Sequence, residues 1–210
     1  DIKCTSPNCP AQLERHMINF VGRDAMDIKG FGATYIMELV RLGYLKDIAD
    51  IYDLKQHREE LIEQGIIGKE KNTDKLLDAI EKSKQNEAFQ LLTGFGIPNV
   101  GKAAAKTILK HFGSIEALMQ ADMESLQQVA DVGEVTALCI RNYFQDENNC
   151  KIIERLKEAG VNMEMAETGS EDGRFDGLTF VITGTLPTMD RKAAAALTTL
   201  ILTRTTRKRK

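Results

Sequence analysis

Two short glycine-bounded runs hold the residues with the clearest chemical capacity. They are Asp27-Ile28-Lys29-Gly30-Phe31-Gly32-Ala33 and Gly94-Phe95-Gly96-Ile97-Pro98-Asn99-Val100-Gly101-Lys102. Each is followed by apolar residues at helical spacing, Tyr35, Ile36, Leu39 and Val40 in the first and Ala104, Ile108, Leu109 and Phe112 in the second. The amides that open a helix have no intrahelical acceptor, and the positive end of the helix dipole lies behind them. A glycine turn brings such amides close to a ligand, so the expected chemistry is anion binding, with phosphate as the anion. A single copy reads equally well as a glycine-capped turn between two helices.

Recurrence weighs against that plainer reading. Gly65-Ile66-Ile67-Gly68-Lys69 precedes Leu76, Leu77 and Ile80, and Val129-Ala130-Asp131-Val132-Gly133 precedes Val135, Ala137, Leu138 and Ile140. The copies are unequal. Asp131 occupies a first-glycine position and the second copy lacks a clean Gly-x-Gly, so these two are expected to keep the hairpin and lose the phosphate. The candidate contacts are Lys29, Gly30, Phe31, Gly32, Ala33, Gly96, Gly101 and Lys102, with Gly133 as the weaker equivalent in the fourth copy. A valine at Gly32 or Gly101 is expected to strain the turn as well as block the phosphate.

A second chemical feature is Cys4-Thr5-Ser6-Pro7-Asn8-Cys9, two thiols on a turn. Structural zinc takes four ligands, so Cys4 and Cys9 form half a site. Cys139 and Cys150 lie far along the chain in or beside an apolar helix and read as small buried hydrophobes, and His16 reads as a surface or packing histidine.

The elements that must position these residues are helical. Apolar residues recur at helical spacing from Glu14 to Gly160 with no sustained alternation, which predicts a mainly α fold. Gly43, Gly113 and Gly160 are expected to end helices, and Ser114, Asp122 and Thr73 to begin them. Phe95, Phe112, Tyr143 and Phe144 in helical register are expected in the core rather than stacked on bases. Residues 168–174 read as a linker, and Phe175 to Leu186 as a β-branched strand entering a Thr-Gly turn. The 210 residues carry a net charge of −3, which excludes a global positive field as the source of nucleic-acid affinity. No membrane span or signal peptide is visible, and the start at Asp1 reads as an internal fragment of a cytoplasmic protein.

These residues together resemble the C-terminal part of bacterial NAD-dependent DNA ligases. The resemblance rests on Cys4 and Cys9 with Pro10-Ala11-Gln12, Phe20 to Gly32, Ala79 to Lys84, Gly96 to Gly101, Phe112-Gly113-Ser114 and Phe180 to Leu186. It implies the second half of a Cys4 zinc finger over 1–20 and a domain of four helix-hairpin-helix motifs over 21–167. It also implies the incomplete α/β start of a BRCT domain, with a basic tail, over 175–210. Nicked duplex DNA is the implied partner, and the chain is expected to be a monomer near the nucleoid. The implied chemistry uses NAD and magnesium on adenylation and OB domains of the same polypeptide. The family's nucleophile is the lysine of Lys-x-Asp-Gly, and the nearest string here, Arg174-Phe175-Asp176-Gly177, offers only an arginine, which stays protonated. No catalytic residue is therefore expected in this chain. The alternative is a non-catalytic helix-hairpin-helix module of a repair or recombination accessory protein; an all-α protein-interaction domain is the third reading.

Overall fold

The computed structural model describes residues 10–165. The Cys4/Cys9 knuckle, the 168–174 linker and the strand and tail of 175–210 lie outside the described residues. Within them the fold is helical, with no strand and a single isolated bridge between Ser114 and Glu164.

The helices pair about short turns. Hairpin 1 joins α1 (Pro10–Val21) to α2 (Ala33–Arg41). After α3 (Asp50–Asp53) and a 3-10 turn, hairpin 2 joins α4 (Arg58–Glu63) to α5 (Glu70–Ser83). Hairpin 3 joins α6 (Ala88–Gly94) to α7 (Lys102–Phe112). After α8 (Ile115–Met119), hairpin 4 joins α9 (Met123–Gln127) to α10 (Glu134–Gln145), and α11 (Glu147–Glu158) closes the described chain.

Local chemistry sets most boundaries. The Ser114 hydroxyl accepts from the Ala117 amide and the Asp122 carboxylate from the Ser125 amide, each satisfying an orphan donor as expected. Gly43, Gly113 and Gly160 take positive φ at or just past helix ends, where the left-handed conformation closes the last turn. Thr73 departs from expectation. α5 starts at Glu70, so Thr73 lies a turn inside it, fully buried, with its hydroxyl lacking a hydrogen-bond partner. Neighbouring Leu76, Leu77 and Ile80 bury one helix face, and Thr73 falls on that face.

One core runs through all four hairpins. Phe95, at the end of α6, stacks on Tyr143 with ring centroids 5.4 Å apart and meets Phe144 edge-on, joining hairpin 3 to hairpin 4. These rings are packing groups, as their register implied; fully burying such a side chain contributes about 1.5–3 kcal/mol. Arg155 on α11 reaches back to Asp47 and Asp50 at 2.7 Å and Asp53 at 2.8 Å. The approach of α1 to α6 depends on Gly94, where an added Cβ would stand 2.8 Å from the Phe20 ring.

His16 lies at the same joint, facing Gly96. Burial holds its imidazole below the ordinary range, partly offset by the Gly94 and Phe95 carbonyls, and Nε2 has no hydrogen-bond partner. Because the folded pKa is lowered, the unfolded chain takes up the proton first as pH falls below about 6.5, and stability drops there. The fold is expected to lose more urea resistance between about pH 7.5 and about pH 5.5 than a His16→Gln variant does. Equal losses in the two proteins would contradict this.

Candidate nucleic-acid interface

Three of the four turns share one five-residue geometry. In Ile28-Lys29-Gly30-Phe31-Gly32 the Phe31 amide donates to the Ile28 carbonyl at 3.3 Å and Gly30 has φ +86°. In Ile97-Pro98-Asn99-Val100-Gly101 the Val100 amide donates to Ile97 at 3.0 Å and Asn99 has φ +65°. In Val129-Ala130-Asp131-Val132-Gly133 the Val132 amide donates to Val129 at 3.1 Å and Asp131 has φ +66°. The outer apolar pair of each turn is buried, so the two residues between them face solvent. Asn and Asp enter the left-handed region more readily than other side chains do, which lets them replace Gly30.

In this geometry Asp131 stands at the first-glycine position, and Gly96 lies just before the five-residue turn, at the end of α6. The residue equivalent to Gly30 in hairpin 3 is Asn99. Gly96, at φ +68°, closes α6 by donating to the Thr93 carbonyl and faces His16, whose Cδ2 would be 3.5 Å from an added Cβ. A glycine-pair pattern passes over Asn99, whose sequence signal is an asparagine two residues before Gly101.

The last residue of each shared turn is a helix N-cap. Gly32, Gly101 and Gly133 supply no side-chain cap, and their carbonyls accept from Ile36, Ala105 and Ala137. Among the described residues no acceptor meets the amides of Ala33 and Thr34, of Lys102 and Ala103, or of Glu134 and Val135. The three glycines have φ of −75°, −85° and −81°, open to any residue, and an added Cβ would meet nothing within 4 Å. The expected strain at Gly32 and Gly101 is therefore absent. Neither backbone nor packing requires glycine there; what glycine provides is open space in front of bare amides. At hairpin 1 that space is a concavity of about 540 Å3 lined by Ile28, Gly30, Phe31, Gly32, Thr34 and Tyr35.

Charge distinguishes the turns. Lys29 is exposed beside Gly30, and Lys102 opens α7 with its Nζ 3.4 Å from Asp24. In hairpin 4 Asp131 and Glu134 place carboxylates where the other turns have neutral or basic groups. Hairpin 2 has another turn: positive φ falls on Gly65 and Gly68, and Lys69 is the N-cap. Its helix begins with Glu70, which pairs with Arg58 at 2.9 Å. Among the described residues no cluster of three metal-ligating side chains occurs. Cys139 and Cys150 are separate, half-buried thiols, and the Cys150 thiol donates to the Phe144 carbonyl. No helix among these residues is long and apolar enough to cross a membrane.

Comparison with known proteins agrees with the repeated turn. Residues 90–153, which hold hairpins 3 and 4, match the family model of the helix-hairpin-helix motif. The chain is 46% identical over 198 residues to a protein named DNA ligase from Clostridium kluyveri, covering 94% of this chain and 30% of that relative. With the DNA ligase of Desulforamulus reducens the identity is 46% over 194 residues, 91% of this chain and 28% of the relative. With that of Acetivibrio thermocellus it is 42% over 193 residues, 91% and 29%. The chain spans less than a third of the length of these curated relatives, so along most of its own length it is similar to one segment of proteins named DNA ligase.

Proposed function

We propose that this chain is the part of an NAD-dependent DNA ligase that holds nicked duplex DNA, gripping the phosphate backbone at hairpins 1 and 3. The observation that carries the reading is the open glycine N-cap, Gly32 and Gly101, with free amides behind it and no internal reason for glycine. An anionic oxygen there accepts from Ala33 and Thr34 or from Lys102 and Ala103, in the field of the helix dipole. Lys29 and Lys102 add charge. Hairpin 4 has the same backbone, but Asp131 and Glu134 repel a phosphate. Contacts of this kind position a duplex without reading its sequence.

The joining reaction belongs to the adenylation and OB domains, with NAD and magnesium, and this chain alone is inactive. Cys4 and Cys9 supply two of four zinc ligands. The protein works in the cytoplasm as a monomer.

Salt-titrated binding to a labelled nicked duplex tests the reading. With about four phosphates neutralised, log K falls against log[salt] with a slope of about −3.6, on the order of a hundredfold between about 50 and about 200 mM salt. Gly133→Val leaves the slope unchanged. Binding insensitive to salt, or none at low salt, would overturn the reading.

A further inference from the structure

Hairpins 1 and 3 are joined by a polar brace behind their turns. The Asn86 side-chain amide donates to the Met26 carbonyl at 2.7 Å, and the Gln90 amide to the Ala25 carbonyl at 2.9 Å. Both acceptors lie in the loop leading to Gly32; Gln90 lies in the first turn of α6, the helix leading to Gly101, and Asn86 in the bend two residues before that helix. The Gln90 oxygen is itself fixed, accepting from the Glu87 amide in the capping box of α6. The Asn86 backbone is held as well, its carbonyl accepting from the Asn162 side chain at 3.0 Å. Phe20 seated against Gly94 removes slack between the helices. Lys102, the first residue of α7, reaches Asp24 in the hairpin 1 loop at 3.4 Å.

We propose that hairpins 1 and 3 act as one bivalent clamp for phosphates at fixed separation, with Asn86 and Gln90 as the positioning residues that set that separation. The proposal rests on the reading that both hairpins take phosphates. Each side chain acts through the loop carbonyl it holds. When one hairpin has bound, the brace sets the effective concentration of the other at a second phosphate. A stiff backbone with regular phosphate spacing, duplex nucleic acid, is the ligand class that uses such a clamp.

The brace is removed without adding charge by Asn86→Ala with Gln90→Met, in the parent chain and in Gly101→Val, where one phosphate hairpin remains. Circular dichroism and urea midpoints show that each variant is folded, and affinity for a labelled duplex is read at low salt. In the parent the double substitution weakens binding about tenfold, the scale of one or two hydrogen bonds' loss of order. In Gly101→Val it changes nothing, because one site has no separation to set. Equal losses in both backgrounds, or no loss in the parent, overturn the clamp. Failure of the underlying DNA reading is a different result: Gly101→Val alone then binds as the parent does.

Discussion

Gly32→Val and Gly101→Val each bind duplex DNA on the order of a hundredfold more weakly than the parent while remaining folded, with stability within about 1 kcal/mol of it. The binding term follows from the amides. A valine side chain fills the space in front of Ala33 and Thr34 or of Lys102 and Ala103, and removes charge-assisted hydrogen bonds worth about 1.5–3 kcal/mol each. The stability term nearly cancels. Valine restricts the unfolded chain, which stabilises the fold, and is a poorer N-cap than glycine, which does the reverse. With φ near −80° and no neighbour within 4 Å of the new Cβ, neither strain nor a clash adds to the balance. Urea titration and duplex binding on the same samples separate the two effects. Folded variants that bind like the parent would make the hairpins structural and favour a protein-interaction role.

Gly94→Val has the opposite profile, a loss of about 3 kcal/mol in stability through overpacking. Glycine within a helix is ordinarily the weaker choice, by about 1 kcal/mol against alanine. Here the tertiary contact outweighs propensity, because the Cβ would come 2.8 Å from Cδ2 of Phe20. That ring is fully buried and edge-on to Tyr52, with centroids 6.4 Å apart, so it has no room to retreat. Gly94→Ala is expected to cost less than valine, and Phe20→Leu to recover part of that cost in the double variant. A Gly94→Val protein with the parent's urea midpoint would show that the helices separate freely at this point.

The sequence by itself determined what depends on neighbours along the chain. Apolar spacing located the helices, glycines marked their ends, and Ser114 and Asp122 marked starts because their side chains bond amides three residues on. The recurrence of a glycine-bounded turn before helical apolar spacing put Gly32, Gly101 and Gly133 ahead of helices, and Asp131 was visible as the charge that sets hairpin 4 apart. Local reading failed where one residue type has two uses. Thr73 carried a cap signal but falls on the buried face of α5. Tertiary structure decided whether a glycine is needed for its φ, for closeness or for openness, since those depend on what stands opposite. Gly94 faces a ring from α1 and Gly101 faces nothing. It also decided which distant residues meet. Asn86 and Gln90 find carbonyls 60 and 65 positions away, and Arg155 finds three aspartates more than 100 away. Nothing in local spacing encodes such pairs, because their geometry exists only once the helices have packed.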